Sequence, residues 1–185
     1  MKKPVYLLFV LFILFTLPSC TPQNYLPPFG AWESADPVID LRSVPQLSVS
    51  IQSEVPQRVG AIGGVSNWTY TDAYGVTHSG PLTDSPHSLQ HSQADLSRVT
   101  LYLYDEINEI KLEFGAPPQS VTVTRWNAAY VGTLYISEAV DENVPVGLNG
   151  NTISIINDGY AYIYEVHAIW EQGLSYFTFR TEPAR

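Results

Sequence analysis

Tyr160-AYIYEVHAIWEQGLSYFTF-Arg180 decides the fold. Tyr162, Tyr164, Val166, Ala168 and Trp170 fall at every second position, and Ile163, Glu165, His167 and Ile169 fill the gaps. A period of two is the period of a β-strand, whose side chains point alternately to opposite faces. After the short connection Glu171-Gln172-Gly173, Phe177 and Phe179 alternate with Tyr176 and Thr178. The stretch therefore predicts two strands, Tyr160–Trp170 and Leu174–Arg180, joined tightly. Both faces carry apolar residues, so the pair belongs near the centre of a sheet, with most of its rings in the core. Each buried ring removes about 150–250 Å² from water. The alternative for the tyrosines is a face open to solvent that binds something.

Working back toward the N-terminus, the same signature recurs in short pieces. "RVTLYLY" (Arg98–Tyr104), "EIKLEF" (ending at Phe114) and "SVTVTRW" (ending at Trp126) alternate clearly. Further strands are expected at Val38–Arg42, Leu47–Gln52, Arg58–Ile62, Ser66–Thr71, Val76–Ser79, Val131–Ser137 and Thr152–Ile156. Gly63-Gly64 reads as a break, turn or bulge. "LQHSQADLSRV" offers a helical turn or two and no more. Many short strands separated by Gly, Pro and Asn predict an all-β fold, and specifically a single β-sandwich of immunoglobulin-like type over residues 38–185.

The opposite end of the chain reads differently. "MKKPVYLLFVLFILFTLPSC" sets two lysines before an apolar run, too short for a comfortable membrane span and ended by Pro18. Leu17-Pro18-Ser19-Cys20 resembles a bacterial lipobox, and Cys20 is the only cysteine. The resemblance implies a leader over residues 1–19 and a diacylglycerol thioether on Cys20. Residues 20–37, rich in proline, then form an extended tether that holds the domain off the membrane. With Cys20 committed to lipid, no disulfide within the chain is expected. The expected location is the extracytoplasmic face of a cell membrane.

Taken together, the stretches "YIYEVHAIWEQGLSYFTF", "TDSPHSL" and "SVTVTRW" resemble uncharacterised cell-surface lipoproteins of Gram-positive, Firmicutes-type bacteria. The likeness runs from about Val59 to Phe179. It implies a compact β domain outside the membrane and carries no catalytic motif.

The formal net charge is −9. Loss of Lys2 and Lys3 with the leader would make the remainder more acidic still. This balance argues against nucleic acid and against a polybasic membrane patch. Chemistry-bearing motifs are sparse. "TDSPHSLQHSQAD" holds Asp84, His87 and His91, weak candidates for a metal if the two histidines share a helical turn. The simpler reading is a solvated loop with Asp84 opening a turn. No nucleophile elbow or P-loop is present, so no catalytic residue and no cofactor are expected. The best ligand-binding candidates are Arg125, Trp126, Asn127 and Tyr130 in "TRWNAAYVG", where flat rings adjoin hydrogen-bonding side chains as sugar recognition requires. The alternative is Trp126 capping the core. The expected function is non-enzymatic binding of an envelope protein or, alternatively, of a carbohydrate or peptidoglycan fragment.

Overall fold

A computed structural model describes residues 42–80, 86–133 and 136–184. Cys20, the leader, the tether, most of the strand expected at Val38–Arg42, and Asp84 lie outside the described residues. The strands are β1 (Leu47–Ile51), β2 (Gln57–Gly60), β3 (Ile62–Thr71), β4 (Thr77–Ser79), β5 (Thr100–Leu103), β6 (Asn108–Phe114), β7 (Ser120–Asn127), β8 (Asp141–Val144), β9 (Thr152–Asn157), β10 (Tyr162–Trp170) and β11 (Gly173–Pro183). One short helix, α1 (Gln93–Arg98), precedes β5. The fold class is all-β.

The strands form two sheets. The smaller runs β2-β1-β6-β9, and the larger β4-β3-β11-β10-β7-β8, with β5 attached to β11. Every pairing is antiparallel except that of β5 with β11. The opening hairpin is β10–β11, paired from Ile163 with Arg180 through Trp170 with Gly173. The first half of β11 also pairs with β3 and its second half with β5, so β11 is the hub of the larger sheet.

Alternation places the core. Leu47, Val49 and Ile51 of β1, Ile110, Leu112 and Phe114 of β6, and Ile153 and Ile155 of β9 form one buried face. Tyr164, Val166, Ala168, Phe177 and Phe179 form the other. The two meet at Phe114, whose ring lies edge-on to Trp170 at 5.8 Å and to Phe177 at 6.2 Å. Tyr164 stacks on Phe179 at 4.6 Å between centroids. Edge-to-face and offset stacks of this kind suit the ring quadrupoles. Rings of the decisive stretch that face inward are therefore core, while Tyr160 is exposed.

Two expectations need correcting, the break at Gly63-Gly64 and the strand at Val131–Ser137. Gly63-Gly64 does not interrupt the chain: β3 runs through it. Between the pairs Ser175–Ser66 and Phe177–Gly63, β11 spends one residue and β3 two. That is the bulge among the readings of these glycines and not the break, since a bulge bends a strand without ending it. The break falls at Ala61 instead, where the chain leaves one sheet for the other. The segment "YDEINEI" carries the chain between sheets, since β5 and β6 belong to different ones. Among the described residues of Val131–Ser137, none is in a strand. Asn127 accepts a hydrogen bond from the Ala129 amide and starts a 3-10 turn, Ala128–Tyr130. Gly132 then takes a positive φ of 78°, and a second 3-10 turn occupies Ile136–Glu138. The strand comes later, at Asp141–Val144, where no apolar alternation announces it.

Candidate functional site

The four residues singled out around Trp126 do not share a surface. Strand β7 alternates, and its register with β10 sets Arg125 beside Tyr164 on one face and Trp126 beside Ile163 on the other. Trp126 is 7 % exposed and meets the His87 ring edge-on at 5.1 Å. Little of its face is left for a sugar to stack on. Asn127 caps the following turn, and Tyr130 packs half-buried against the core.

Arg125 is the centre of a different group. Its guanidinium donates to both carboxylate oxygens of Glu142, at 2.8 and 3.0 Å, and reaches Asp158 at 3.5 Å. It also lies 4.2 Å from the centre of the Tyr162 ring, as a cation–π pair. Burial alone would lower the arginine pKa, but the bonds to Glu142 and Tyr164 hold it above the ordinary range. This clamp ties β8 to β7 and to the turn after β9. Arg125 was legible as a candidate, but its partners come from 17 and 33 residues away and carry no local signal.

The histidine-bearing segment, residues 86–99, is a strap across the outer face of the larger sheet. Ser88 donates to Glu165 at 2.6 Å and lies 2.7 Å from the Thr178 hydroxyl; Ser88 and Thr178 are buried. Leu89 and Leu96 are buried beneath it, and Gln93 accepts from Arg180 at 2.8 Å. The strap takes its shape from its caps. His87 Nδ1 accepts from the Leu89 amide, and Ser92 accepts from the Asp95 amide to begin α1. His87 and His91 therefore sit on a folded segment and not in a solvated loop. Among the described residues, no group of three or more His, Cys, Asp and Glu could hold a metal ion.

His91 is 8 % exposed. Burial lowers its pKa, and His87 adds to this, while Asp95 and Glu165 oppose it. A histidine whose folded pKa lies below the unfolded value contributes fully above about pH 6.5. Its contribution is lost as the pH falls, because the unfolded or undocked state takes the proton first. Acidification from pH 7.5 to 5.5 is expected to speed amide exchange in the strap, at Leu89 to Leu96, more than in β10. His91→Gln should flatten that difference. Hydrogen-exchange mass spectrometry across the pH range reads both.

A cleft of about 350 Å³ lies where the chain crosses from β2 to β3. Gln46, Ser48, Gly60, Gly63, Ser66 and Phe177 are among its lining, and no charged residue contributes. A Cβ added at Gly60 or Gly63 would meet nothing within 4 Å. The volume lies in the range of small-molecule sites. Gly63-Gly64 is legible in the sequence only as a backbone feature, since a space between sheets leaves no mark in either strand.

No family model matches the chain, and neither the curated proteins nor the solved structures contain a significant match.

Proposed function

We propose that this protein is a lipid-anchored, extracytoplasmic binding protein, held by Cys20 to the outer face of a membrane, with its β body presenting a non-enzymatic interaction surface. The observation that carries the anchoring half is the lone cysteine behind Leu17-Pro18-Ser19, at the end of a short apolar run that starts after two lysines. Two acyl chains hold a protein at a bilayer where one does not, at about 0.8 kcal/mol per buried methylene. We read the two sheets as halves of one sandwich, immunoglobulin-like in the broad sense of two antiparallel layers around an aromatic core. The contacts of Phe114 with Trp170 and Phe177 support this. The parallel β5 is a departure from a purely antiparallel plan.

The binding reading draws on the cleft beside Gly63, whose described lining is uncharged, and on a formal net charge of −9, which favours an envelope protein or a neutral envelope component over nucleic acid. The test is direct. In a bacterial host that processes lipoproteins, wild-type protein should fractionate with membranes and yield an N-terminal peptide beginning at acylated Cys20. Cys20→Ala should move it to the soluble extracytoplasmic fraction or leave it unprocessed. Mass spectrometry showing an intact leader or an unmodified Cys20 on the wild type would remove the anchor.

A further inference from the structure

The strand β9 presents an undefended edge. Thr152 exchanges both backbone hydrogen bonds with Asn149, at 3.0 and 2.9 Å, so its N–H and C=O point away from β6. Antiparallel strands alternate the direction of these groups. The backbone groups of Ser154 and Ile156 therefore also point outward, and they have no partner among the described residues. Every side chain of β9, Thr152-Ile-Ser-Ile-Ile-Asn157, is uncharged, and Ile156 is 57 % exposed.

Other edges are protected. Edge β8 carries Asp141 and Glu142. Edge β4 is three residues long. Edge β2 is short and carries Arg58, paired with Glu113. The Gln57 amide occupies the backbone of Tyr102 in β5, donating to its carbonyl at 2.6 Å and accepting from its N–H at 2.8 Å. Charges, short length and capping are how sheet proteins prevent unwanted pairing. On β9 these devices are missing.

We propose that β9 is a docking edge for an extended segment of a partner protein, added as a further strand of the smaller sheet, and that this segment carries lysine or arginine. The charge choice follows from what surrounds the edge. Glu109 lies opposite Ile156, and Asp158 follows the strand. The Arg125 clamp holds Glu142 and Asp158 together, which brings the acidic β8 edge to this side. Lys111, opposite Ser154, is flanked on its own face by Glu109 and Glu113. Main-chain bonds would supply affinity, and side chains at alternate positions would supply selection. The inference rests on the reading of the β body as a binding domain and is independent of the lipid.

The experiment uses the full chain purified in detergent and a capped octapeptide of alternating Lys and Val. The expected result is saturable binding, with NMR shifts and amide protection centred on Ser154 and Ile156. Ile156→Lys should weaken it by about tenfold or more through charge repulsion. Ile156→Pro removes only an outward N–H, leaves the β6 ladder bonded, and should also weaken binding. The Glu–Val counterpart should not bind, and raising salt from about 0.05 to 0.5 M should reduce affinity for the Lys–Val peptide. No peptide binding, shifts mapped elsewhere, or variants indistinguishable from wild type would overturn the proposal. So would self-association that Ile156→Lys abolishes in protein that ignores the peptide, since the edge would then serve a second copy. Cys20 acylation is unaffected by any of these results, so failure here and failure of the anchor are separable.

Discussion

Gly173→Ala is expected to be the most damaging single-methyl substitution in this protein, costing about 3 kcal/mol or more. Gly173 opens β11 with φ of 150°, a conformation nearly confined to glycine. It pairs with Trp68 of β3, and the backbones approach so closely that an added Cβ would fall on the Asn67 carbonyl, 1.7 Å from its oxygen. Both neighbours are main chain, so no side chain can swing aside. Relief requires β3 to separate from β11, which would also disturb the Thr69 amide bond to the Gln172 carbonyl. The control is Gly63→Ala, in the same strand pair, where the new methyl meets open space. Its effect should stay within about 0.5 kcal/mol. Urea unfolding followed by tryptophan fluorescence separates the two. Equal stability would mean that the β3–β11 approach is looser than described.

Phe114→Ala is the second large effect, at roughly 3–5 kcal/mol. Phe114 is 1 % exposed and is the ring that bridges the two sheets, touching Trp170 and Phe177 across the core. Its removal leaves a cavity walled by residues fixed in different sheets, so neither wall can close on it without sliding a whole ladder. A cycle of Phe114→Ala with Phe177→Ala should show coupling well above measurement error, because contacting residues do not add independently. Phe114→Ala with Tyr70→Ala, whose ring stacks instead on His78, should be additive. Additivity in the first cycle would remove the cross-sheet contact and with it the sandwich reading.

What could be read in advance follows from what each residue type reports. The β10–β11 hairpin, β6 and β7 were legible because one of their faces meets the core, and a buried face writes a period of two into the sequence. Strand β8 was not, because Asp141, Glu142 and Asn143 are all exposed and leave no apolar alternation to read. The strap was missed for a related reason. Its fixed points are Ser88, Glu165 and Thr178, polar residues brought together from three places, and polar residues in isolation read as solvated. Glu165 and His167 were correctly placed opposite Tyr164, but what covers that face could not be inferred from the strand itself. The candidate residues around Trp126 fared unevenly. Their proximity in sequence suggested a common surface, whereas strand alternation sends Arg125 and Trp126 to opposite sides.

The hub position of β11 has a consequence for biogenesis. Its partners β3, β5 and β10 are all made before it, and neither the β3–β4 pair nor β5 has a ladder to β10, β7 and β8 until Gly173–Pro183 arrives. Hydrogen-bond closure of that layer must therefore wait for Pro183 to leave the ribosome. Until then the layer keeps open edges on β3 and β5, the state in which a nascent chain is most exposed to wrong pairing.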